Sequence, residues 1–359
     1  MIEINAHLPG KLGNPDAVLA TDSRTDPRYA AVADEVGELA PGVPTVGTDA
    51  SHAECLAYCA AFEAATGRAN PELLARLPVV DSVMSSTEVI PGADGNEIQL
   101  YIHRPKQSSG AIPGIVHLHG GGMVLMSATD PSPVRWRDRL AEMGMLVVGV
   151  EFRNGGGRLG DHPFPAGLND CVSAVQWVYA NRERLGVSSI VLNGESGGGN
   201  LSLATALKAK REGWVNQIDG VYAMCPYISG LYANPPGSLL SLRENDGYML
   251  NGPMMAALAR VYDPGGDNGT NPLAWPYHAE HGDLEGLPPH VVSVNELDPL
   301  RDEGLAYFRK LLAAGVPAVG RTIHGTPHAG DQSLPDILPE AYQDSLRAIY
   351  GFATSLSGQ

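Results

Sequence analysis

Hydrophobic positions follow two different patterns along the chain. From about residue 85 onward, short apolar runs alternate with amphipathic stretches. Glu97-Ile98-Gln99-Leu100-Tyr101-Ile102 alternates with period two, as a strand with one buried face should. Three runs are continuously apolar: Ile115–Leu118, Leu146–Val150 and Ile190–Leu192. Later runs cover Val221–Met224, Val291–Val294 and Val319–Ile323. Continuously apolar strands separated by helices predict a parallel sheet covered on both faces, an α/β fold. The intervening helices are expected near Arg135–Met143, Leu168–Leu185, Leu201–Glu212, Leu305–Ala314 and Ala341–Ser355.

Residues 1 to about 80 read differently. They are Ala-rich and polar, with turn residues around Pro41-Gly42-Val43-Pro44. Cys55, Leu56, Cys59, Phe62 and Ala65 recur at spacings of three and four, which predicts a helix over Ala53–Thr66. Asn70-Pro71 offers a cap residue and a first-turn proline, so a second helix is expected to start there. A second irregular interval runs from Ile228 to His290, with Pro235-Pro236, Gly265-Gly266 and Pro272 and a helical piece near Pro253–Tyr262. It is too long for a simple crossover and is expected to be an inserted lid. The chain thus divides into an N-terminal helical segment over 1–80 and an α/β part over 81–359, interrupted at about 228–275.

Composition narrows the function. The net charge of −16 repels phosphate backbones, so a nucleic-acid partner is not expected. The four cysteines include no Cys-x-x-Cys pair. They read as buried small side chains, with neither a disulfide framework nor a metal site. Met1–His7 has no basic, apolar secretory pattern, and no apolar stretch is long enough to span a bilayer. The expectation is a cytoplasmic protein that needs no cofactor and no membrane. The 43 glycines and 28 prolines, without a collagen-like period, imply many turns and close backbone approaches.

Some of those glycines sit where chemistry can be built. Gly194-Glu195-Ser196-Gly197-Gly198 follows the strand Ile190–Leu192 and precedes a helix-compatible run, the strand–turn–helix of a nucleophile elbow. His119-Gly120-Gly121-Gly122 follows the strand Ile115–Leu118, and glycines at a strand end leave backbone N–H groups approachable by a developing oxyanion. A serine nucleophile needs a base, and the base needs an orienting carboxylate. His328 lies just beyond the last strand and Asp298 just beyond the preceding one. His278, His281, His290 and His324 are rival bases, and Glu296 and Asp302 rival acids. Glu195, beside the serine, is either a hydrogen-bonding support for the elbow or cap or a partly exposed carboxylate. Met249, Met254, Met255, Tyr227 and Tyr248 are candidates either to line an acyl pocket or to form lid core.

The combination of His119–Gly122, Gly194–Gly198 with Asn200, Asp298-Pro299-Leu300-Arg301-Asp302-Glu303, Pro327-His328 and His162-Pro163-Phe164-Pro165-Ala166 resembles the hormone-sensitive-lipase-like (bacterial family IV) carboxylesterases of the α/β-hydrolase superfamily. The resemblance implies an α/β-hydrolase fold with a helical cap made from the two irregular stretches. It implies Ser196 as nucleophile, Asp298 as orienting acid and His328 as base, with the amides of Gly121, Gly122 and Gly197 as the oxyanion hole. Tyr227 and Met255 become the expected substrate contacts. The expected partner is a small-molecule ester of short-to-medium acyl chain, and a homodimer is consistent with the family. An amidase, deacetylase or lactonase on the same triad, or a receptor with a silent triad, are the other readings. Three departures stand out: Phe152-Arg153-Asn154-Gly155-Gly156-Gly157-Arg158 stands where Tyr-Arg-Leu-Ala-Pro-Glu is usual, the elbow carries Glu195 and Gly197 where Asp and Ala are commoner, and the N-terminal region is longer than usual.

Overall fold

The computed structural model describes residues 8–36, 42–74, 79–333 and 335–357. The Met1–His7 stretch and Pro41 lie outside them. Eight strands and seven longer helices follow in order: α1 (His52–Leu74), β1 (Val83–Pro91), β2 (Glu97–Pro105), β3 (Ile112–Leu118), α2 (Pro131–Glu142), β4 (Leu146–Glu151), α3 (Ala166–Ala180), β5 (Val187–Glu195), α4 (Gly197–Arg211), β6 (Gly220–Met224), α5 (Gly252–Tyr262), β7 (His290–Asn295), α6 (Arg301–Ala313), β8 (Ala318–Ile323) and α7 (Pro339–Ser355). The strands form one sheet in the order β1-β2-β4-β3-β5-β6-β7-β8. Pairings from β4 through β8 are parallel, and β1–β2 and β2–β4 are antiparallel. The expected parallel sheet is therefore present, with two antiparallel strands added at one edge.

The apolar runs are continuous because both sheet faces are buried. Ile115, Val147, Val191, Tyr222 and Val291 point to one side, where Trp136 and Leu140 of α2 and Leu346 and Ile349 of α7 cover them. Their neighbours Val116, Val148, Leu192, Val221 and Val292 point to the other side, among residues of α3, α4 and α6 such as Cys171, Leu203 and Leu311. Alternating side chains on a pleated strand need two apolar layers here.

Four points differ from the expectation. β1 was not foreseen: it is an edge strand with mostly exposed side chains, so no apolar run marks it. No helix begins at Asn70-Pro71, because α1 runs unbroken from His52 to Leu74. The helix expected over Leu168–Leu185 is two pieces, Ala166–Ala180 and Arg182–Leu185, closed by Gly186 at φ 69°. α4 begins four residues earlier than its apolar pattern suggests, directly at the glycines after Ser196.

The two irregular stretches meet in space. Cys59 and Phe62 of α1 share a buried cluster with Met254, Met255, Leu258 and Val261 of α5. The His162-Pro163-Phe164-Pro165 turn also holds α5. The Phe164 N–H donates to the Tyr262 carbonyl at 2.9 Å, and their rings meet edge-to-face at 5.8 Å. No helix among the described residues is long and apolar enough to cross a membrane.

Candidate active site

The parallel strands bring their carboxyl ends to one rim of the sheet, and the candidate residues follow those ends. Ser196 comes directly after β5, Asp298 three residues after β7, and His328 five residues after β8. Ser196 has φ 56° and ψ −116°, a left-handed conformation that a non-glycine residue adopts only when its surroundings force it. The forcing contacts are visible. Its N–H donates to the Met224 carbonyl at 2.9 Å, and its carbonyl accepts from Tyr227 N–H at 3.1 Å and Asn200 N–H at 3.0 Å. The turn closes tightly because its glycines are bare: a Cβ on Gly198 would lie 1.8 Å from the Leu118 carbonyl oxygen.

Asp298 and His328 are brought together. His328 Nδ1 lies 2.7 Å from Asp298 Oδ2, and both side chains are buried. Asp298 Oδ1 accepts the Leu300 N–H at 2.9 Å, which fixes the carboxylate. With Nδ1 engaged as donor, Nε2 is the imidazole nitrogen left as a base. Burial opposes a charge on His328, but the adjacent Asp298 carboxylate outweighs it and raises the imidazole pKa well above its ordinary value.

The rival residues lie elsewhere. His278 bonds the Ser229 carbonyl, His290 bonds Pro288 at the start of β7, and His281 is exposed. His324 is exposed and faces Glu296. Asp302 is taken by Arg301 and the Ser241 amide.

The His119–Gly122 turn packs against the elbow. A Cβ on Gly197 would lie 2.5 Å from the Met123 nitrogen and 2.7 Å from the Gly122 nitrogen, so only glycine permits this approach. Gly121 and Gly122 have φ 95° and 62°. Glu195 supports the turn from beneath: Oε1 accepts the Gly120 N–H at 2.8 Å, and Oε2 lies 3.2 Å from His117 Nε2. Of the two readings of Glu195, the hydrogen-bonding one fits its position, and its partner is the glycine turn. Burial would raise the Glu195 pKa, but the bonds from His117 and Gly120 outweigh it and leave it lowered. Burial lowers the His117 pKa, so a neutral imidazole donates from Nε2 to the carboxylate.

Tyr227 and Met255 are interior residues. The Tyr227 hydroxyl donates to the Met255 carbonyl at 2.5 Å, and its ring stacks on Tyr232 at 4.4 Å. A cavity of about 630 Å³ lies between the N-terminal segment and the second irregular stretch, with Val18, Leu19, Tyr58, Phe62, Met249 and Met254 among its walls. None of Ser196, Asp298 and His328 lines it. Leu258 of α5 reaches closer to the chemistry, within 3.0 Å of where a Cβ on Gly122 would stand.

Two groups at the rim were not legible beforehand. All four cysteines are buried as expected, but Cys225, directly after β6 at φ 33°, sits against the His–Asp pair. Its sulfur and the donor atoms of Asp298 and His328 lie within 4.8 Å of one another. That donor set could suit a thiophilic cation, but the 2.7 Å His–Asp bond already occupies two of its members. Glu303, in the first turn of α6, accepts from the Ile228 N–H at 2.6 Å and from the Ser229 and Tyr232 hydroxyls. Burial pushes its pKa up to about 7 against those bonds. It anchors the segment that leaves β6. The only available signal was its place in the run Asp298–Glu303.

A mostly parallel eight-stranded sheet, a strained serine after the fifth strand and a buried His–Asp pair beyond the last two strands define the α/β-hydrolase class. Residues 115–331 match the protein family described as alpha/beta hydrolase fold, and the chain belongs to that family. Among solved structures, it is similar to brefeldin A esterase, a bacterial homologue of human hormone-sensitive lipase. They share 43% identity at a TM-score of 0.90, over 98% of this chain and 99% of that one. Esterase Est22 is 35% identical at a TM-score of 0.82, over 94% of this chain and 99% of its own. The carboxylesterase NlhH of Mycobacterium tuberculosis is 32% identical over 68% of this chain and 73% of its own length. An arylesterase of Saccharolobus solfataricus is 30% identical over 72% of this chain and 81% of its own. The resemblance drawn from the motifs is thus found again across nearly the whole chain.

Proposed function

We propose that this protein is a serine carboxylesterase that cleaves small esters of short-to-medium acyl chain through an acyl-enzyme. The observation that carries the reading is the buried 2.7 Å His328–Asp298 pair on the same sheet rim as the strained Ser196 elbow. His328 Nε2 takes the Ser196 hydroxyl proton as Oγ attacks the ester carbonyl carbon. The tetrahedral oxyanion is held by the amides of Gly121, Gly122 and Gly197. His328 then gives its proton to the departing alcohol, and the C–O bond breaks. Water, deprotonated by the same nitrogen, releases the acid and restores Ser196. Asp298 keeps the imidazole tautomer and orientation throughout.

In this reading residues 1–80 and about 228–275 form the cap over an 81–359 catalytic part. Tyr227 and Met255 act through their mutual bond as the base of the substrate pocket. The enzyme works in the cytoplasm without a metal or other cofactor, and self-association as a homodimer is compatible with it.

The test is a panel of p-nitrophenyl esters of increasing chain length, with a matched anilide and a lactone, run on the parent and on Ser196→Ala. Hydrolysis should be fastest on short-to-medium esters and fall by at least about 10⁴-fold in Ser196→Ala. An unchanged rate in the variant ends the assignment. Faster turnover of the anilide or lactone replaces the ester as the substrate.

A further inference from the structure

We propose that Glu63, on α1, is a positioning residue that ties the N-terminal helix to the glycine turn and sets the oxyanion donors. The inference rests on the esterase reading and extends it to a residue outside the triad.

Glu63 is a buried carboxylate with two backbone donors. Its Oε1 accepts the Met126 N–H at 2.8 Å and its Oε2 the Arg158 N–H at 2.6 Å. Met126 directly follows the turn that carries Gly121 and Gly122, which is closed by the Gly121 carbonyl accepting from both Val124 and Leu125 N–H, and its side chain lies 3.2 Å from where a Cβ on Gly121 would stand. Arg158 belongs to the Gly-rich stretch that departs from the family pattern. That stretch holds the turn too, since Asn154 Nδ2 donates to the Met126 carbonyl at 2.7 Å and Gly155 N–H donates to the Met123 carbonyl at 2.9 Å.

The turn needs such restraint. Met123 and Met126 have φ 60° and 72°, an unfavourable region for any residue with a Cβ, and such residues persist only where neighbours over-determine them. Met126 is pinned at both backbone groups, its N–H by Glu63 and its carbonyl by Asn154. A bond from a backbone N–H to a carboxylate is the stronger kind. The Gly-rich stretch gives Glu63 its room, because a Cβ on Gly157 would stand 2.7 Å from Oε2. Helix, stretch and turn therefore meet at one carboxylate, and movement of α1 away from the sheet would release the turn. The oxyanion donors are then assembled only while α1 is seated.

The experiment measures kcat and KM for p-nitrophenyl butyrate, and Ki for a trifluoromethyl ketone that forms a tetrahedral adduct, in Glu63→Gln, Glu63→Ala and the parent. A side-chain amide can still accept from one of the two N–H groups but opposes the other, so Gln should fall between. The expected result is a kcat loss of about tenfold in Gln and about a hundredfold in Ala, the latter at the lower end of the 10²–10³ lost when an oxyanion donor is removed outright. KM should change little, and Ki should rise in step with the loss of kcat/KM. If the Ala variant does not fold, Gly157→Ala provides an independent route: it crowds the carboxylate from the other side and should lower kcat with the same parallel rise in Ki. Parental kcat in folded Gln and Gly157→Ala proteins overturns the proposal, as does a kcat loss with unchanged Ki. The esterase reading fails separately, if Ser196→Ala remains active.

Discussion

In the proposed mechanism the charge state of His328 sets the working pH. The Asp298 carboxylate raises the imidazole pKa well above its ordinary value of about 6.5, and catalysis needs the neutral form. The kcat/KM profile should therefore climb with pH through a midpoint above about 6.5, and a midpoint below that value would contradict the pairing. The sign for stability is opposite. A raised folded-state pKa stabilises fully below the unfolded value, and that contribution is lost as pH rises through the folded value. Glu195 allows a second test at this scale. Glu195→Ala leaves the Gly120 N–H and the His117 imidazole buried without partners, each costing about 1–3 kcal/mol. Glu195→Gln can still accept from Gly120 and should recover most of that loss in a urea titration. Equal stability of the Ala variant and the parent would show that Glu195 is not the support of the turn. The serine, acid and base candidates were legible because each follows its own apolar strand. Cys225 and Glu63 were not, since their importance comes from neighbours distant in sequence.

Among the elements, the elbow and the last helix make a contrasting pair of glycines. Gly198 opens α4 against the Leu118 carbonyl, 1.8 Å from where a Cβ would stand, whereas a Cβ on Gly351 of α7 meets nothing within 4 Å. Gly198→Ala should prevent a stable fold or remove several kcal/mol, as overpacking against rigid backbone does. Gly351→Ala should add up to about 1 kcal/mol, the helix-propensity difference between the two residues. Thermal melting of both variants checks the pair, and similar effects in the two would contradict the packing described. The strands of the sheet interior could be read from composition because burial on both faces leaves them no polar alternation. β1 could not, because its residues are mostly exposed and its position depends on pairing with β2. Pro71 gave a start signal inside a longer helix: the local preference was overridden by the continuity of α1.

On the scale of the whole molecule, the proposed function depends on parts brought together from across the chain. Ser196, Asp298 and His328 span more than a hundred residues yet share the carboxyl rim of one sheet, and the stretches around α1 and α5 pack together beside it. The alternation of apolar runs was enough to anticipate the sheet and its rim, and the two irregular intervals stood apart from that alternation. How those intervals meet was not legible, because the helical spacing of Cys59 and Phe62, and of Met255 and Leu258, marks an apolar face on each helix without saying which face it meets. The central claim is that Ser196 is the single nucleophile of an esterase. It is tested most directly by reacting the protein with a fluorophosphonate and mapping the modified peptide by mass spectrometry while following ester hydrolysis. One phosphonyl group on Ser196, with activity lost in proportion to labelling, is the predicted result. A label on another residue, or full hydrolysis by protein labelled at Ser196, would contradict it.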